Sequence, residues 1–191
     1  MNQSETSLDT SEPDPSAAKI IAAARVCLIR NGMRTTITDV ARRAGVSRPT
    51  VYRKFFTLEE IISETLTQEM VGMLGDVANP TSTKEFIEII VDVTNRVRRN
   101  ELMRAILSEE PELLVTYQFH RLGRSQLAII DVLERMLRAL PGLSSENPKQ
   151  QALFILMLVQ SVAFMANTVS EYFDDASWKE ELRKMLKGYL Q

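Results

Sequence analysis

Cysteine is almost missing from this sequence: Cys27 is the only one in 191 residues. No intramolecular disulfide can form, and a thiolate zinc site would need other ligands. That agrees with a reducing cytoplasm. Glycine and proline number seven each, too few for a turn-rich all-β chain. Leu, Ala, Glu, Arg and Met are frequent throughout, so an all-α fold is predicted. The longest apolar stretch, residues 152–166, is interrupted by Gln160 and Ser161 and falls short of the ~20 residues that cross a bilayer. The N-terminus lacks a basic stretch followed by an apolar core, so neither a secretory signal nor a membrane partner is expected. A Gly-rich phosphate loop, a zincin motif and a nucleophile elbow are also missing, and His120 is the only histidine. An enzyme would have no recognisable constellation to work with, and neither catalytic residues, metal nor cofactor is predicted.

The formal net charge of −2 hides a strong asymmetry. Residues 17–57 hold Lys19, Arg25, Arg30, Arg34, Arg42, Arg43, Arg48, Arg53 and Lys54 against Asp39 alone, a net +8. The tail before them carries four acids and no base, and the remainder of the chain is acidic overall. One short cationic segment on an anionic protein is what results when only that segment meets phosphate.

Residues 1–16 are polar and acidic, with Pro13, Pro15 and almost nothing apolar to bury, and read as a disordered arm. A first helix begins near Asp14 and Pro15, carries Ile20, Ala24, Cys27 and Leu28 at helical spacing, and stops at Asn31 and Gly32. Further starts are marked by a capping residue followed three positions on by an acid or amide. Thr36 with Asp39, Thr57 with Glu60, Ser82 with Glu85, Asn147 with Gln150 and Ser177 with Glu180 all fit. Helices are predicted over 37–44, 48–55, 58–77, 83–99, 101–108, 111–139, 148–170 and 177–190, nine in all with the first.

Residues 36–55 read as two short helices around a tight turn. Ile37, Val40, Ala41 and Ala44 make one apolar face, and the small Ala41 lets the second helix approach closely. Gly45 suits the left-handed backbone that ends the first helix, and Val46 points inward. Ser47 can cap the second helix at the amide of Thr50, with Pro49 in the first turn where its missing N–H costs little. Val51 and Phe55 face the core. Arg48, Thr50, Tyr52, Arg53 and Lys54 remain on the outer side, a set of donors suited to phosphates and base edges.

Residues 17–62, above all the run from Thr35 to Ser47 with Thr50, Val51, Tyr52 and Phe55, resemble the N-terminal domain of tetracycline-repressor (TetR) regulators. The resemblance implies that Thr36 and Thr38 lie at a phosphate-contacting helix start, that Arg48 and Tyr52 hold the DNA backbone, and that Pro49, Thr50 and Arg53 approach bases. Lys54 occupies a position near phosphate. In one departure, Leu58 follows the cap Thr57 where the family usually has Lys, leaving that contact to the amides of the helix start. The family plan further implies an effector-binding and dimerisation domain over residues 63–191, with a small-molecule pocket among helices five to seven and a homodimer built by the last two helices. The predicted function is a sequence-specific transcriptional regulator, a repressor released from a palindromic double-stranded DNA operator by a small effector. The alternative is a protein of the same fold that organises or marks DNA without regulating transcription.

Within the second domain, helical position nominates Phe86, Met103, Leu107, Tyr117 and Phe119 as pocket walls, with His120 or Arg121 as a polar anchor. No His or Cys partner stands at ligand spacing from His120, which reads as structural. Arg96, Arg98, Arg99 and Arg104 admit an anion site but read as a solvated face. Met70, Met73, Met103, Met136, Met157 and Met165 read mostly as core packing. Cys27 reads as a small buried hydrophobe. Residues 152–159 are apolar all round, so their helix needs covering on every side, by its own domain and by a second subunit.

Overall fold

A computed structural model describes residues 15–75, 79–109, 123–143, 146–165 and 168–191. Among the described residues there are nine α-helices, one 3-10 turn and no strand. The helices are α1 (Pro15–Asn31), α2 (Ile37–Ala44), α3 (Arg48–Lys54), α4 (Leu58–Leu74), α5 (Thr83–Arg99), α6 (Glu101–Glu109), α7 (Arg124–Ala139), α8 (Pro148–Phe164) and α9 (Ser177–Tyr189), with the 3-10 turn Gly32–Arg34 after α1. The predicted disordered arm lies almost wholly outside the described residues, as do the first part of the predicted helix 111–139 and Tyr117, Phe119, His120 and Arg121.

The buried apolar side chains form two clusters. The smaller joins Ile20, Ile21, Ala24 and Cys27 of α1 to Val40 and Ala41 of α2, Val51 of α3, Phe55 and Ile61. The larger is built by α4 to α9 around Phe86, Leu102, Leu137, Ile155 and Leu186. Helix α1 contributes to both, because Leu28, one turn beyond Ala24, belongs to the larger cluster while the residues before it belong to the smaller. Helix α4 contributes to both as well, through Ile61 to the first and Ile62, Met73 and Leu74 to the second.

Four of the predicted caps form. The Thr36 and Ser82 hydroxyls, the Thr57 hydroxyl and the Asn147 carbonyl each accept from the amide three residues on. The fifth does not. Ser177 is the first helical residue of α9, and the Asp174 carboxylate accepts from the amides of Ala176 and Ser177 at 3.0 and 2.7 Å. The Ser177 hydroxyl donates to that carboxylate at 2.8 Å, and the Glu180 amide, which a Ser177 cap would have taken, donates to the Ala176 carbonyl at 3.1 Å.

Two helices stop three or more residues short of the prediction. Helix α4 ends at Leu74 rather than 77, because Gly75 takes φ 65° and ψ −170°, a backbone open essentially to glycine alone. Helix α8 ends at Phe164 rather than 170. Thr168, Val169 and Ser170, all weak helix formers, lie in turns, with the Tyr172 amide donating to the Val169 carbonyl. No helix among the described residues is long and apolar enough to cross a membrane.

Candidate nucleic-acid interface

Helix α2 is started by a full capping box. The Thr36 hydroxyl accepts from the Asp39 amide at 3.2 Å while the Asp39 carboxylate accepts from the Thr36 amide at 3.1 Å. The Thr36 hydroxyl also donates to that carboxylate at 2.6 Å, and this bond first, then the Thr36 amide and Arg42, hold the Asp39 carboxyl below the usual range. Gly45 closes the helix at φ 68°, ψ 30°, and the Val46 amide donates back to the Ala41 carbonyl. Ser47 then caps α3 by accepting from the Thr50 amide at 3.3 Å, with Pro49 in the first turn. Two helices are therefore joined by three residues whose backbone is fixed at both ends. Val51 and Phe55 are buried against α1, which orients the rest of α3 outward.

Of the eight predicted DNA-contacting residues, Thr36, Thr38, Arg48, Pro49, Tyr52, Arg53 and Lys54 are exposed and Thr50 is half-buried. All lie on α2, on α3 or at their starts. The cations of the segment divide by task, which their count alone does not reveal. Arg25 turns toward α4 and makes a two-pronged ion pair with Glu69, at 2.8 and 3.0 Å. Arg42 pairs with Asp39 at 2.8 Å. Arg48 and Arg53 are exposed on α3.

Sequence reasoning missed the polar junction behind this surface. Glu69 of α4 also accepts from the Asn100 side-chain amide at 2.6 Å, and the Asn100 carbonyl oxygen accepts from the Met103 amide in the first turn of α6. Arg25, Glu69 and Asn100 thus tie α1, α4 and α6 together. The Arg25 bond is the main reason the Glu69 carboxyl lies below its ordinary range, against burial that raises it. The only trace in the sequence was a glutamate within the predicted helix 58–77.

Among the predicted pocket walls, Phe86 and Met103 are packed into the core and Leu107 is half-buried. An apolar cavity of about 30 Å³ lies instead where α4, α5, α7 and α8 meet. It is lined by Met70, Leu74, Val93, Val97, Ile129, Leu156, Val159, Ala163 and Phe164, with Gln160 the single polar contributor. A more open cleft of about 580 Å³ runs between α5 and α9, where Arg183 bridges to Glu88 across its wall. Arg96, Arg98 and Arg99 serve internal contacts: Arg96 pairs with Asp92, Arg99 with Asp175, and Arg98 lies 4.3 Å from the centre of the Trp178 ring. Met73, Met103 and Met136 are core, while Met157 and Met165 are exposed. Cys27 is buried, which pushes its thiol up and away from the reactive thiolate.

Helix α8 carries an exposed stripe that runs into the residue after it. Gln150, Phe154, Met157, Ser161 and Met165, spaced by three and four, are all exposed. The Phe154 ring meets Tyr189 of α9 at 5.0 Å between centroids, and Met185 of α9 is exposed nearby in sequence.

Comparison with known proteins gives this geometry a context. Residues 20–65 match the model of the bacterial regulatory proteins of the tetR family. Uncharacterized HTH-type transcriptional regulators of Mycobacterium tuberculosis and Mycobacterium bovis are each 32% identical over 177 residues, covering 90% of this chain and 93% of theirs. Among solved structures, the transcriptional repressor QsdR of R. erythropolis, of the TetR family, superposes with a TM-score of 0.65 at 16% identity, over 94% of this chain and 96% of that one. The regulator FadR of Bacillus subtilis, solved in complex with stearoyl-CoA, superposes at 0.58 with 16% identity, over 88% and 96%.

Proposed function

Because the chain belongs to the tetR family of bacterial regulatory proteins, and is a transcriptional regulator of helix-turn-helix type, we propose that it is a homodimeric repressor whose two α3 helices read a palindromic operator and whose release is driven by a small apolar effector. One observation carries the reading: a doubly capped helix-turn-helix exposes Arg48, Tyr52 and Arg53 together on a segment of net +8. The proposed contacts follow from position. Thr36, Thr38, Arg48, Tyr52 and Lys54 meet phosphates; Pro49, Thr50 and Arg53 approach base edges. The proposed domains are residues 17–62 for DNA and 63–191 for effector binding and dimerisation.

The stripe on α8, with Met185 and Tyr189 of α9, supports the homodimer. A second copy related by a two-fold axis would cover the same stripe on both chains. The two recognition helices would then sit about 35 Å apart, one turn of the duplex.

The cavity at α4, α5, α7 and α8 supports an apolar effector. At about 30 Å³ it is far smaller than the roughly 300 Å³ or more of a pocket that holds a small molecule, so a ligand would have to spread those helices to enter. Helix α4 starts directly after the recognition helix, so spreading it would tilt the DNA-binding unit. Linkage then requires that an effector weakening DNA binding be itself weakened by DNA to the same factor.

Selecting bound sequences from a random pool of duplex DNA tests the reading. The expected result is a palindrome with half-sites one helical turn apart. Recovery of no enriched sequence would refute it, and genomic matches to the selected sequence lying away from promoters would favour a DNA-organising role.

A further inference from the structure

The corner where α3 gives way to α4 is apolar and acidic, at the point where the family's lysine would meet phosphate. Leu58 is half-buried against the larger core. Glu59 and Glu60 follow it in the first turn. The Glu60 carboxylate accepts from the Phe56 backbone amide at 2.8 Å, and the Thr57 hydroxyl accepts from the Glu60 amide at 3.1 Å. Two acids and two amides already engaged make this a poor anion site.

What the corner does project is the Phe56 ring. At 82% exposure it is the most exposed large apolar side chain among the described residues. The fold makes no evident use of it. Phe55 beside it supplies the core contact at 7% exposure, and Phe56 is held only through its backbone. In the described part of the helix-turn-helix unit the exposed aromatics are Tyr52, on α3, and Phe56, two residues past Lys54.

We propose that Phe56 contacts DNA, its ring packing on the deoxyribose edge beside the major groove, so that this corner grips the backbone by apolar contact in place of charge. The inference rests on the DNA-binding reading above. Charge complementarity selects the partner. The ring stands near the end of the net +8 segment, two residues past Lys54, whereas the stripe suited to a second copy of this chain lies on α8 and α9. Sugar is contacted in protein–DNA complexes without carrying sequence information, so the gain falls on affinity and not on choice of site.

The test uses the full chain and the duplex it selects from a random pool, with affinity measured across a salt series. Burying the ring against sugar displaces no counterion. Phe56→Ala should therefore lose about tenfold in affinity at every salt concentration with the salt slope unchanged. Phe56→Lys should steepen the slope by about one unit, because an ammonium would now reach phosphate. Arg48→Ala serves as the reference that flattens the slope. If both Phe56 variants bind as wild type while Arg48→Ala weakens binding, the inference fails and the DNA reading stands. If Arg48→Ala is also silent, the reading itself fails. A lower melting temperature or an altered oligomeric state in Phe56→Ala would show that protein covers the ring, and would overturn the proposal.

Discussion

Arg48, Tyr52 and Arg53 share the exposed side of one short helix, yet substituting each should read out differently. Arg48→Ala removes a phosphate contact, so affinity should fall for every sequence and the salt slope should drop by about one unit. Tyr52→Ala should weaken binding with helix content intact, since its ring is 42% exposed and only partly held by the fold. Arg53→Ala should instead relax preference at one base position, costing about 1–3 kcal/mol of discrimination. Filter binding over a salt series, with sequence selection repeated for Arg53→Ala, separates the three; unchanged binding in all would sink the site assignment. Gly45 poses a purely conformational question. A Cβ there would meet nothing within 4 Å, but φ is +68°. Gly45→Ala should therefore destabilise by about 1 kcal/mol through backbone strain alone, measurable by urea denaturation. These residues were legible in the sequence because each acts through its immediate neighbours: a cap, a turn glycine, an outward position on a helix.

At the scale of elements, the joint of Arg25, Glu69 and Asn100 ties α1, which packs on the helix-turn-helix, to α4 and α6. Arg25 and Glu69 are 36% and 15% exposed, so their pair is only partly screened by water. A double-mutant cycle on Arg25→Ala and Glu69→Ala should give a coupling of about 1 kcal/mol in stability. The same carboxylate gives the fold an acid dependence. Its pKa falls on folding, chiefly through the Arg25 hydrogen bond, so its contribution is complete above the unfolded pKa and is lost as pH drops through the folded value. Wild-type stability should thus fall faster than that of Glu69→Gln as pH drops from just above the unfolded carboxyl's pKa of about 4.3 through the lower folded value. Parallel denaturation curves would contradict this. Nothing local in the sequence pairs residue 25 with residue 69. The match is made by packing α1 on α4, and a helical wheel of either helix alone cannot express it.

For the whole molecule, the decisive question is what covers the stripe on α8. Met157 is 58% exposed in the single chain, so Met157→Arg should leave the monomer's helix content unchanged and abolish association. Leu158 and Val162 are half-buried against their own core, and a charge at either should unfold the chain as well as separate it. Sedimentation of wild type and Met157→Arg at micromolar concentration checks this; a wild-type monomer would refute the dimer.

The all-α class, the helix-turn-helix and its outward donors were determined by the sequence itself. Periodicity, capping residues and a positive-φ glycine act over a few residues, and charge segregation survives any fold. Only the tertiary structure decided which cations turn inward, as Arg25 does, and which stay out. It also stopped α4 at Gly75 and α8 at Phe164, replaced Ser177 by Asp174 as the cap of α9, and put the apolar cavity between α4, α5, α7 and α8. Those outcomes depend on contacts between residues far apart in the chain. Side-chain pairing and helix ends are settled by whichever of several locally adequate partners the packing brings within reach.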